Sequence, residues 1–220
     1  MSDLNTQLVR EFFELNQFRV LTHWQHQKLP RVADPGAMLF IERIHPDTVD
    51  EIDFLLRAAQ APLIHRAVVE VRAWHADRFY PSVIESSPVL AHVAGEEAHA
   101  LGLSVFGGAD FTSILVISEL PTSLKPRARA LELLQEMGIG HVIEFPTILQ
   151  VILERISAHG NYAPSQTLQT LRLLKRYNLI RRQQLEFSFP TEAMAAGAQS
   201  FLEAEAPDDA AYDAGDEEEE

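Results

Sequence analysis

The chain contains no cysteine. A disulfide framework and a thiolate zinc site are therefore excluded, and the absence fits a reducing compartment. No apolar run approaches the ~20 residues that a bilayer-spanning helix needs. The first residues, Met1 to Asn5, lack the basic-then-apolar pattern of a signal peptide. These absences lead to the expectation of a cytoplasmic protein with no membrane partner. No Gly-x-Ser-x-Gly elbow is present, so serine-hydrolase chemistry has no support. No glycine-rich dinucleotide fingerprint follows a strand, and Phe106-Gly107-Gly108 lacks the Lys-Ser/Thr ending of a phosphate loop and reads as a turn. An excess of basic charge is also missing, since the formal net charge is −14.

With 220 residues and 46% apolar composition, the chain can bury one substantial core. The acidity is uneven. Residues 201–220 hold ten acids and no base, and the rest of the chain carries 22 acids against 18 bases. The stretch from Ala206 to Glu220 has Tyr212 as its single large side chain, too little to offset its ordering entropy, and reads as a disordered tail. The expected organisation is a core over 1–160, a helical extension over 161–190 packed on or near it, and an acidic tail over 191–220. The tail reads as a solubilising segment; the alternative is a nucleic-acid mimic that covers a basic groove.

Hydrophobic spacing predicts a helix over 3–15, from Leu4, Leu8, Phe12 and Leu15, ended by Asn16. Strands are predicted over 18–24, 37–42, 51–58 and 65–74, the last two pairing antiparallel through a short turn at Pro62. Helical sequence starts at Pro81, resumes after Pro88 and runs to Leu101. The unbroken apolar run Ile114–Ile117 reads as a strand covered on both faces. A helix over 125–137 ends at Gly138, strand 141–145 follows, Pro146 opens a helix to Ser157, and 165–179 form an amphipathic helix. Strands first cluster as a meander and then alternate with helices, so the expected fold is α/β, with a central mixed sheet flanked by helices.

The most informative residues are acids on segments that should be apolar. Glu70 and Arg72 alternate onto one face of strand 65–74, and Asp53 lies about one hairpin earlier. Carboxylates in such surroundings are costly to desolvate unless something pairs with them, and a divalent metal would do so. The plain alternative is an ion pair between Glu70 and Arg72.

These residues and the order of elements resemble the PD-(D/E)XK nuclease superfamily, which has the restriction-endonuclease-like fold. Its core runs helix, three strands, helix, strand, with an Asp on the second strand and Glu-x-Lys on the third. Asp53 and Glu70 match the acids, and Arg72 stands where the family has Lys. The chain is also similar to a group of bacterial proteins sharing the helix Val9-Arg10-Glu11-Phe12-Phe13-Glu14-Leu15. The resemblance covers residues 5–150. It implies that Asp53 and Glu70 hold Mg²⁺ or Mn²⁺, which polarises a phosphate and lowers the pKa of a bound water. It further implies a supporting acid on the first helix, Glu11 or alternatively Glu14. Arg72 cannot accept a proton near neutral pH but can clamp a phosphate, so the substitution bears on hydrolysis more than on phosphate binding. The implied activity is a metal-dependent nuclease acting on DNA more than RNA. The alternative is a catalytically inactive nuclease-fold module for binding or assembly. A third reading, an α/β protein unrelated to nucleases, predicts that Asp53 and Glu70 do not converge.

Arg172, Lys175, Arg176, Arg181 and Arg182 form the densest basic cluster. They are the candidates for contact with a nucleic-acid backbone and a docking place for the acidic tail. Members of the fold pair up, so a homodimer is a further expectation. His92, Glu96 and His99 share a helical spacing but read as an exposed polar face. Trp74 reads as closing a core, with base stacking as the alternative, and His75 reads as a packing or loop residue.

Overall fold

The computed structural model describes residues 3–22, 37–45, 52–76 and 78–180. The chain divides into a unit Met1–Ile180 and a unit Arg181–Glu220. The acidic tail, Arg181 and Arg182 fall in the second unit, outside the described residues.

Five strands form one sheet in the order β1 (Phe18–Thr22), β2 (Ala37–Arg43), β3 (Arg66–Arg72), β4 (Thr112–Ile117) and β5 (His141–Glu144). β1, β2 and β3 are an antiparallel meander, whereas β4 and β5 run parallel to β3. The sheet is thus mixed and flanked by helices, the architecture that the sequence pattern predicts. Among the described residues six α-helices accompany it: α1 (Asp3–Leu15), α2 (Pro81–Glu85), α3 (Glu96–Phe106), α4 (Leu124–Glu136), α5 (Phe145–Arg155) and α6 (Gln166–Arg176). A 3₁₀ helix, Pro88–Ala94, precedes α3.

Side-chain alternation on β3 sorts the core into two layers. Ala67, Val69 and Val71 pack with Phe12 of α1, Ile148 and Ile152 of α5 and Leu168 of α6. Val68 packs on the opposite face with Leu90 and Val93 of the 3₁₀ helix, Ala98 of α3 and Leu134 of α4. The parallel strands are apolar on both faces because helices cover both. On α1 the buried stripe is Val9, Phe12 and Phe13, while Leu4 remains half exposed. The helix stops where Asn16 donates its amide to the Phe12 carbonyl at 2.7 Å and Gln17 adopts a left-handed φ of 65°. Gly138, φ 79°, closes α4 as its position in the sequence predicts.

One expected pairing is not formed. Segment 51–58 does not lie beside 65–74; β3 has β2 on one side and β4 on the other. Leu55 instead makes an isolated parallel bridge to Val142, flanked by bonds from Leu56 N to Val142 O and from Val142 N to Phe54 O, each 2.8 Å. The preference is physical. β2 offers Met38, Leu39, Phe40 and Ile41, all buried, for both faces of the sheet centre. The segment holding Asp53 and Arg57 cannot fill that place without desolvating charge, and it caps the β5 edge.

Candidate functional site

Glu70 lies in the middle of the sheet, opposite Met38 on β2 and Leu115 on β4, and has no exposed surface. Two residues on, Arg72 is 1% exposed and turns to the same face. Its Nε and Nη2 reach Glu70 Oε1 at 2.7 and 2.6 Å. The second carboxylate oxygen, Oε2, is 3.1 Å from Nδ1 of His92. The His92 ring is anchored from the 3₁₀ helix, and its Nε2 is buried, 3.8 Å from Glu97 of α3. Both oxygens of Glu70 are therefore engaged within the protein. The ion pair read as the plain alternative is present, and it is an interior one. The sequence did not reveal its third member. His92, Glu96 and His99 read as one exposed helix face, but Gly95 separates His92 from α3 and aims it at the sheet. His99 rests against the Phe111 ring, 5.2 Å between centroids.

The other candidate acids lie elsewhere. The row Glu70, Leu115, Val142, Leu55 crosses the sheet. Strand spacings of ~4.8 Å put Leu55 ~14 Å from Glu70. Asp53, two residues before Leu55, is ion-paired to Arg57 at 3.4 Å with its side chain 48% exposed. Glu11 is buried but belongs to α1, on the opposite face of the sheet from Glu70. One of its oxygens accepts from Ser165 Oγ and from Gln7 Nε2, and the other, Oε2, is buried without a hydrogen-bond partner. Ser165 also caps α6 through Leu168 N at 3.0 Å. Glu11 thus joins α1 to the start of α6, where the helix dipole favours a negative charge. Glu14, its alternative, pairs with Arg10 on the surface at 2.7 Å. The expected convergence of Asp53, Glu70 and Glu11 is not formed. A shared divalent ion does not fit these residues, because the sheet and its strands keep them apart and Arg72 already neutralises Glu70. Among the described residues, no group of three or more His, Asp or Glu side chains is placed to hold a metal.

The three described members of the basic cluster lie on α6 in different surroundings. Lys175 Nζ donates to the carbonyls of Leu153 and Ile156, both at 2.7 Å, and so caps the C-terminal turn of α5. Arg172 is half-buried with its Nε enclosed, and Arg176 is exposed. Trp74 stacks on Phe79 with centroids 5.3 Å apart, closing a core rather than standing open for a base. No described helix is long and apolar enough to cross a membrane.

A different site lies at the carboxyl ends of the parallel strands. A cleft of about 580 Å³ is lined by His75 and Arg78 after β3, Ser118 and Glu119 after β4, Phe145 and Pro146 after β5, and Leu4, Asn5 and Leu8 of α1. Asn5 is 7% exposed, donates its amide to Ala73 O at 3.0 Å and meets His75 Nε2 at 3.2 Å. The exposed His75 ring stands edge-to-face against Phe145, 4.7 Å between centroids. Arg78 spans to Glu119 at 3.1 Å and to Thr122 at 3.3 Å, tying two of the loops together. Leu4, Leu8, Pro146 and Leu149 give the cleft an apolar wall. In open α/β sheets, loops at the carboxyl ends of the strands are where ligands bind. Neither Asn5 nor His75 carried a signal in the sequence, because they meet only when α1 docks beside the end of β3. No family model, curated protein or solved structure matches the chain.

Proposed function

We propose that the unit Met1–Ile180 is a catalytically silent binding module, with its ligand site in the cleft at the carboxyl ends of β3, β4 and β5. The observation that carries this reading is the engagement of Glu70. Its carboxylate is spent on Arg72 and His92 inside the core, and the acids that would share a metal with it lie on another edge and another face. The cleft supplies the other half of the argument. It combines an apolar wall with a few fixed polar groups, the composition of small-molecule sites.

The deciding experiment is a cleavage assay on single- and double-stranded DNA and RNA with Mg²⁺ or Mn²⁺, paired with calorimetry of the metals. The expected result is no cleavage, and no metal-binding heat that Asp53→Ala removes. Metal-dependent cleavage that disappears in a folded Glu70→Gln variant would return the nuclease reading and discard the module.

A further inference from the structure

The hydrogen bonds of Asn5 fix that Nε2 of His75 carries a proton. A backbone carbonyl only accepts, so the amide nitrogen of Asn5 must face Ala73 O, at 3.0 Å. The amide oxygen then faces His75 Nε2, at 3.2 Å. That oxygen also only accepts, so His75 Nε2 must carry a proton. In the neutral ring the other nitrogen, Nδ1, is an acceptor. It has no hydrogen-bond partner among the described residues. The ring is held from two sides, by the buried Asn5 and by the edge-to-face contact with Phe145. The imidazole is exposed at the cleft beside the apolar side chains of Leu4, Leu8, Pro146 and Leu149.

The contrast with His92 is instructive. There the free nitrogen is enclosed and faces a carboxylate, so a ligand has no approach. His75 lines an open cleft, and with Nε2 held by Asn5 its Nδ1 is the nitrogen left for a ligand. Ser118, the hydroxyl lining the same cleft, is only 3% exposed, so the arrangement is one of binding and not of nucleophilic attack.

From this we infer that the cleft takes a small planar aromatic molecule bearing one N–H or O–H donor, which lies on the apolar wall and donates to His75 Nδ1. The inference rests on the binding-module reading and names its ligand class. A planar ring suits the site because it extends the His75–Phe145 edge-to-face pair. A donor is required because the tautomer leaves an acceptor and no free N–H.

The test compares indole with benzofuran, which has nearly the same shape but no donor. The full chain is titrated with each, and the His75 ring nitrogens are followed by ¹⁵N NMR. The expected result is saturable binding of both, with indole about three- to tenfold tighter, the range of a single net hydrogen bond. Nδ1 is expected to shift with indole alone. His75→Phe is expected to abolish the preference, while His75→Gln, whose amide oxygen accepts, retains part of it. Equal affinity in the unmodified protein, a preference that survives in His75→Phe, or no saturable binding of either ring at millimolar concentration would each overturn the inference. Failure of the module reading shows separately, as metal-dependent cleavage of nucleic acid.

Discussion

On one face of β3, Glu70 and Arg72 are shut away from water, with His92 closing over them. At the carboxyl end of the same strand, on the other face, Asn5 fixes a histidine that remains open to solvent. The first region holds the charges of Glu70 and Arg72, both buried. The second holds polar groups at a cleft, and His75 Nδ1 has no hydrogen-bond partner among the described residues. An interior ion pair must satisfy its own members, because no solvent is there to do so, and it then has little left for a ligand. A polar group at a cleft is held by a few bonds and keeps the rest for recognition. Charged residues within a strand are thus a weak guide to function, and a neutral side chain bridging two elements can be a better one.

Breaking the enclosed network gives the largest effect. Arg72→Met leaves Glu70 buried without its cation, and denaturant unfolding is expected to show a loss of about 3–5 kcal/mol. The double variant Glu70→Leu/Arg72→Met is expected to recover most of that loss, since replacing both members with apolar groups removes the uncompensated charge. Additive losses in this cycle would show that the two groups are not coupled.

Attachments around the network and the cleft rank next. Lys175→Met removes both bonds to the end of α5, and a loss of about 1.5–3 kcal/mol is expected for a charged donor on buried carbonyls. Salt titration of nucleic-acid binding sharpens the same point, because a lysine committed to capping adds nothing to the salt slope. Ser165→Ala is expected to cost about 1–2 kcal/mol, through the lost cap of α6 and the lost partner of Glu11. Hydrogen exchange localised to α6 would identify the affected element.

The smallest stability effects belong to the exposed residues. His75→Phe is expected to cost about 1 kcal/mol in denaturant unfolding, because it leaves the buried Asn5 amide oxygen without its donor, while removing the preference for indole. Asp53→Ala is expected to change stability by less than about 0.5 kcal/mol, because its pair with Arg57 is exposed to solvent. A larger loss for Asp53→Ala would show that it has an interior role and would weaken the contrast drawn between the two regions.

Much of the fold was legible in the sequence. Ile114–Ile117 and His141–Phe145 read as covered strands because their apolar residues are uninterrupted, and Gly138 marked the end of a helix. The segment around Asp53 was misplaced because a short apolar stretch near a turn reads as a hairpin partner wherever it stands. Which strand wins the place beside β3 depends on how many buried side chains each competitor supplies, and β2 supplies more. Lys175 reads as part of a basic patch because its helix shows a polar stripe, but its ammonium turns to the end of α5 while Arg176 stays exposed. His92 reads as part of an exposed helix face, but the break at Gly95 changes its direction by an amount that periodicity does not carry.

Alternation along β3 by itself placed Glu70 and Arg72 side by side, since a pleated strand permits no other arrangement for residues two apart. Composition called for a substantial apolar core, and the absence of cysteine excluded disulfides and thiolate metal sites. The identity of the third partner, the separation of Asp53 from Glu70, and the meeting of Asn5 with a histidine 70 residues away were decided only by the tertiary structure. The reason is that these contacts depend on the order of strands in the sheet and the face on which each helix docks. Those are set by competition among all the apolar surfaces of the chain at once, and no local window of sequence contains that competition.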